Sequence, residues 1–214
     1  MHQASDAFLV KAIRAYQYPA VTYDFAEGRE RAFGSMVDLE RYLKTLLSSA
    51  NVHSLKDGLS GIIFWGFYRV GFRDHRVKVF RSEVCDAQLL RAGEAFATLE
   101  GPGLMSLKRI DLPQFSNMAF LTKLRMFLDP EHFCVLDEKI ASLSPLAARL
   151  KTQETYIPVN AHNELVYKWW IDCRYSLASR LPNKVRPVDV ERGLFQLMDD
   201  GQSALAEQLL RSTT

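Results

Sequence analysis

Long apolar runs, paired cysteines and flexible linkers are all missing from this chain. No stretch approaches the roughly eighteen consecutive apolar residues that a membrane-crossing helix needs, so no membrane partner is expected. The opening residues MHQASDAFLVK lack a basic segment followed by a long apolar core, so no secretory leader is expected. Cysteine is sparse and odd in number. Cys85, Cys134 and Cys173 lie far apart, which argues against a disulfide framework and for reduced thiols in a cytoplasmic protein. His132 and Cys134 have no second ligand pair to accompany them, so neither a metal nor another cofactor is expected. No internal repeat or low-complexity tract appears.

What remains is 214 residues, 48% of them hydrophobic, enough for one substantial core or for two small lobes sharing a cleft. The formal charge of +2 neither requires nor excludes nucleic acid, because distribution matters more than the sum. The distribution is uneven. Arg69, Arg73, Arg76, Lys78 and Arg81 crowd into one segment against Asp74, with His75 beside them, whereas residues 199–207 lean acidic.

The periodicity predicts a mainly α chain. Residues 5–16 have helical spacing, and residues 20–33 suit a small N-terminal β-hairpin turning at Glu27-Gly28. Residues 35–47 return to helix with Ser35 as its cap. From Asp57 to Val70 the chain is apolar nearly all round, as a helix buried at the centre of a core would be, with Gly71 to end it. Ser82 is expected to cap a helix over 83–99, and residues 104–107 make a short helical turn. A loop is expected from Pro145 to about 157. Helices then follow over 160–179, from Pro187 to Met198 and over 202–211.

The stretch DLPQFSNMAFLTKLRMFLDPEHFCVLDEKIA, residues 111–141, carries the chemistry. Leu112-Pro113 and Gln114 form a turn. Ser116 or Asn117 caps a helix with Phe120, Leu121, Leu124, Phe127 and Leu128 on its apolar stripe. Asp129-Pro130 stops that helix, and Asp137 stands where the next helix, from Glu138, needs a cap. Two charges therefore enter an apolar run. Lys123 either lays its stem along apolar surface with its ammonium in water, or sits desolvated as a nucleophile, since burial disfavours the charged amine. Asp137 is either a plain cap or a cap whose rigid carboxylate also steadies a developing positive charge. An amine beside a fixed carboxylate suits attack at a sugar C1′, where departure of the base leaves an oxocarbenium-like centre.

LTKLRMFLDPEHFCVLDEKIA resembles the lysine-to-aspartate segment of the helix-hairpin-helix DNA glycosylase superfamily, in particular divergent bacterial proteins with an 8-oxoguanine-glycosylase fold. RPVDVERGLF is similar to their terminal helix. The resemblance implies a helix-hairpin-helix glycosylase-like fold, with Lys123 as nucleophile and Asp137 as stabilising carboxylate. Leu112-Pro113 match the start of the family hairpin, but Gln114, Phe115 and Ser116 replace its glycine-rich turn, and no four-cysteine cluster exists to hold an iron–sulfur centre. The partner implied is DNA carrying a damaged or modified base, excised in repair or in defence against invading DNA. Candidate DNA contacts are Gln114, Ser116, Asn117, Lys108, Arg109, Arg125, Arg73 and Arg76. A flipped base needs aromatic faces, for which Trp65, Tyr68, Trp169 and Trp170 are candidates. Each aromatic also has a reading as core packing, and each basic residue one as a solvated face. A catalytically inactive DNA-binding module and a helical protein-interaction domain are the competing functions.

Overall fold

The structure is a computed structural model that describes residues 2–98, 102–154 and 156–213. The described residues form twelve helices and one two-stranded sheet, so the chain is mainly α as its periodicity predicts. They divide into two compact units. One comprises residues 18–129, and the other joins residues 1–17 to residues 130–214.

In the unit formed by residues 18–129, the hairpin β1 (Val21–Asp24) and β2 (Arg29–Ala32) pairs antiparallel with Val21 opposite Ala32. Asp24 holds its turn by accepting from the Ala26 and Glu27 N–H groups, each at 3.1 Å. Helix α2 (Met36–Leu47) starts at Ser35, whose hydroxyl accepts from the Asp38 N–H as its capping pattern anticipates. Helix α3 spans Val52–Gly66 and is buried from Leu59 to Trp65. It packs on α2, on β1 and on three later helices, α4 (Arg73–Glu83), α5 (Asp86–Phe96) and α7 (Met118–Leu128). It is therefore the central helix expected from its all-round apolar surface.

The boundaries of that region correct the sequence reading. Helix α3 begins at Val52, because Asn51 accepts from the His53 N–H and supplies a cap that the apolar run alone does not reveal. It ends at Gly66, and residues 67–70 are turns. The charged segment then becomes helix α4, bearing buried Val77 and Phe80 three apart. Ser82 lies inside α4, donating to the Val79 carbonyl, so it caps nothing. Helix α5 starts instead after Cys85, whose N–H donates to Gln88 Oε1 at 3.0 Å. Residues 99–101, where the expected 83–99 helix ends, lie outside the described residues. Short α6 (Leu104–Arg109) and the fully helical α7 complete the unit.

Two glycines of α3 permit close approach. A Cβ on Gly61 would stand 2.7 Å from Leu43 Cδ2 and 2.8 Å from Thr22 Oγ1, and one on Gly66 would stand 2.8 Å from the Phe120 ring and 3.2 Å from Lys123 Cδ.

In the other unit, α1 (His2–Ala15) packs on α11 (Pro187–Asp199), and Gly193 makes the contact possible by leaving room for Ile13 and Leu9. Pro187 occupies the first turn of α11, where its missing N–H costs nothing. Helix α8 (Glu138–Ala141) is a single turn, and α9 (Ser144–Ala147) falls where a loop is expected after Pro145. Glu207 accepts from both the N–H and the hydroxyl of Ser144, and that long-range anchor is invisible to local propensity. Helix α10 (Ala161–Arg180) is capped by Asn160, and α12 (Ser203–Arg211) closes the chain. No helix among the described residues is long and apolar enough to cross a membrane.

Candidate functional site

In the unit formed by residues 18–129, α6 and α7 are joined by the turn at Leu112–Phe115, closed by a 3.1 Å bond from the Phe115 N–H to the Leu112 carbonyl. Pro113 fixes the first corner, and Gln114 takes the second with φ +67°. That left-handed conformation is one a glycine adopts freely and a side-chain-bearing residue adopts at a cost. The turn thus keeps a glycine-like backbone although no glycine is present. Asp111, at φ +60°, is held by Gln88, which donates to its carbonyl. Gln114 in turn accepts from Arg76 at 3.2 Å.

Of the two candidate caps, Asn117 is the one used. Its Oδ1 accepts from the Phe120 N–H at 3.0 Å, and Ser116 stays exposed. Every residue of α7 from Phe120 to Leu128 is buried. Lys123 is only 7% exposed. Its Nζ lies 3.5 Å from the Ala119 carbonyl and 5.4 Å from the Phe120 ring centroid, and its stem runs past Gly66. Lys123 is therefore a shielded amine rather than one reaching out from a surface helix.

Asp137 belongs to the other unit, where its Oδ1 accepts from the Ile140 N–H at 3.1 Å and caps α8. The extended residues leading to it are fixed from α10. Tyr167 donates to the Cys134 carbonyl at 2.7 Å and Trp170 to the Val135 carbonyl at 2.9 Å. Within this segment burial pushes the Cys134 thiol up to about 12. Arg174 is fully buried, 3.0 Å from the Trp170 ring centroid, and its three guanidinium nitrogens have no hydrogen-bond partner among the described residues. Burial drops its pKa to about 10, opposed by the charges of Cys134, Cys173, Glu191 and Tyr167.

The remaining candidates separate into surface and core. Lys108 and Arg109 are exposed on α6, and Arg76 on α4. Arg73 is half-buried, bonded to Glu30 at 2.8 Å, with its guanidinium over Phe64 and Tyr68. Arg125 is 5% exposed, so it is not a surface phosphate contact. Trp65 is 4% exposed, donates to the Pro19 carbonyl and packs edge-on against Tyr18 and Phe127. It is a core side chain with no face left for a base. Trp170 is likewise core. Tyr68 keeps partial exposure beside Arg73, whereas Trp169 lies in the other unit with Arg149 over its ring at 4.3 Å.

Two features escape a reading of pattern alone. The turn before α4 holds Gly71 at φ +80° and Phe72 at φ +57°, which presents Val70 and Phe72 to solvent at 70% and 80% exposure. A cleft of about 710 Å³ also opens between the hairpin and α4, floored by Tyr23, Phe25 and Phe64. Among the described residues no group of acidic, histidine or cysteine side chains is arranged to hold a metal ion. No family model, curated protein or solved structure matches this chain.

Proposed function

We propose that the protein is a DNA N-glycosylase that removes a damaged or modified base. Lys123 Nζ attacks C1′ as the base departs, and the resemblance assigns to Asp137 the carboxylate that offsets the positive charge developing on the sugar. The observation that carries this reading is Lys123 itself, a lysine 7% exposed on the second helix of a helix–turn–helix whose turn holds Gln114 in a glycine-like conformation. Shielding a lysine side chain from water costs it hydration, and nucleophilic catalysis is a reason to place one there.

Two further observations support DNA as the substrate. Lys108 and Arg109 flank the hairpin turn as exposed cations, in reach of a backbone bound at that turn. Phe72, exposed at the apex of a turn between Arg69 and Arg73, is the kind of apolar wedge that enters a base stack when a nucleotide is extruded. If the amine completes its attack, the product is a Schiff base, and β-elimination then nicks the strand.

Borohydride trapping tests the chemistry. Incubated with duplexes carrying oxidised, alkylated or hypermodified bases, the wild-type protein is expected to form a covalent adduct with at least one, and Lys123→Gln none. Absence of both adduct and base release across the panel overturns the reading. A second reading, a DNA-binding module without chemistry, rests on the basic residues of α4 beside the aromatic-lined cleft. It predicts DNA affinity that falls steeply with salt and is the same in wild type and Lys123→Gln.

A further inference from the structure

We propose that the cleft between the hairpin and α4 is a nucleotide-binding site, separate from Lys123 and independent of its chemistry. Helix α4 lines the cleft with Asp74, Val77, Lys78 and Arg81, which share one face of the helix through three- and four-residue spacings. The opposite wall is aromatic. Tyr23 and Phe25 lie 4.9 Å apart between centroids, and Tyr23 and Phe64 5.8 Å. The cavity, about 710 Å³, falls in the range that encloses small organic ligands.

The arginines identify the ligand class. The Arg73 guanidinium lies 4.2 Å from the Phe64 centroid and is bonded to Glu30 at 2.8 Å. Arg81 lies 4.1 Å from the Phe25 centroid and is bonded to Asp57 at 2.6 Å and to Ser60 Oγ at 3.2 Å. Each planar cation is thus fixed by a carboxylate and laid against a ring. Guanidinium planes and aromatic rings are the two protein surfaces on which nucleobases stack. Because both arginines already have carboxylate partners, they serve as stacking surfaces rather than as phosphate ligands.

Lys78 supplies the missing charge. It is exposed at the cleft and has no hydrogen-bond or ion-pair partner among the described residues. An ammonium on a flexible stem is suited to a phosphate as a point charge. Asp74, one turn before Lys78 and bonded to Arg73 at 3.4 Å, repels an anion on its side, so the phosphate is directed to Lys78 and the base to Tyr23, Phe25 and the arginine planes. The ligand is a nucleoside phosphate, either free or as an unpaired nucleotide within a strand.

Calorimetric titration of the full chain with AMP and with adenosine, and fluorescence polarisation with fluorescein-labelled single-stranded dA12, test the assignment. AMP or dA12 is expected to bind. AMP binding alone identifies a free nucleotide as the ligand, and dA12 binding alone an unpaired nucleotide in a strand. Phe25→Ala is expected to weaken binding about fivefold or more, the loss of one stacked base. Lys78→Glu, on an exposed side chain that folding does not need, is expected to weaken AMP and dA12 comparably while leaving adenosine unchanged. Failure of AMP and dA12 to bind, or equal affinity in wild type and Lys78→Glu, overturns the proposal. Because Lys123 is untouched, neither result depends on the trapping experiment.

Discussion

Each unit is built round one buried tryptophan that donates its indole N–H to a carbonyl of an extended segment, yet the two are surrounded differently. Trp65 bonds Pro19 at the entry to the hairpin, and its neighbours are the rings of Tyr18 and Phe127. Trp170 bonds Val135 on the way to Asp137, and its neighbour is the Arg174 guanidinium. In the unit formed by residues 18–129, Arg73 lies against Phe64 and Arg81 against Phe25, rings that line a cleft, and each arginine is paired to a carboxylate. In the other unit a whole guanidinium is taken inside. The same pairing of cation and ring thus lines an open cleft in one place and forms a buried charge in the other. Burial decides which, because it sets the cost of the charge.

The most severe way to break this comparison is to remove the tryptophans. Trp170→Ala and Trp65→Ala are each expected to lower stability by about 3–5 kcal/mol, the usual loss for a large buried aromatic. Only Trp170→Ala should release the segment before Asp137. Hydrogen exchange at residues 133–137, faster in Trp170→Ala than in Trp65→Ala, is the expected result.

Arg174→Met tests the buried charge directly. Replacing an internal guanidinium that lacks hydrogen-bond partners with an apolar side chain of similar length is expected to raise stability by about 1–3 kcal/mol, read as a higher urea midpoint. A lower midpoint would show that Glu191 needs the arginine as its counter-charge.

The Cys134 thiol gives a pH signature of the same interior. Burial lifts it from an ordinary 9.0 to about 12, so above pH 9 the unfolded chain loses a proton that the folded chain keeps. This contribution is intact below pH 9 and is lost as pH rises toward 12, at about 1.4 kcal/mol per pH unit. Arg174, lowered to about 10, acts with opposite sign only above that value. A fall in stability between pH 9 and 10 that is absent in Cys134→Ala is therefore expected.

The gentlest test compares the two caps that precede the proposed catalytic residues' helices. Asn117→Ala and Asp137→Ala are each expected to cost about 1 kcal/mol. Asp137→Asn keeps an oxygen for the Ile140 N–H and should be nearly neutral in stability, yet under the proposed chemistry it loses the charge that supports the sugar cation. A stable Asp137→Asn protein with undiminished borohydride trapping would confine Asp137 to capping.

Much of the fold is readable along the chain because its signals are local. Ser35, Asn117, Asp137 and Pro187 mark helix starts by hydrogen bonds or dihedral limits that span three residues, and the apolar run of α3 announces a buried helix whatever surrounds it. The errors also have local causes. Ser82 has the chemistry of a cap but lies within α4, and Asn51 does the capping that the apolar pattern hides. Lys123 and Arg125 stand close together on one helix, and their sequence patterns do not say that both are buried.

By itself the sequence determined that the protein is mainly helical, where most helices begin, and that a lysine and an aspartate interrupt an apolar run, because propensity, capping and periodicity act over a few residues. Only the tertiary structure decided that Trp65 and Arg125 are core residues, that Gln114 adopts a glycine's conformation, and that Arg73 and Arg81 lie against aromatic rings at a cleft. Those outcomes depend on which distant side chains exclude water from a given atom, and exclusion of water is a property of packing in three dimensions.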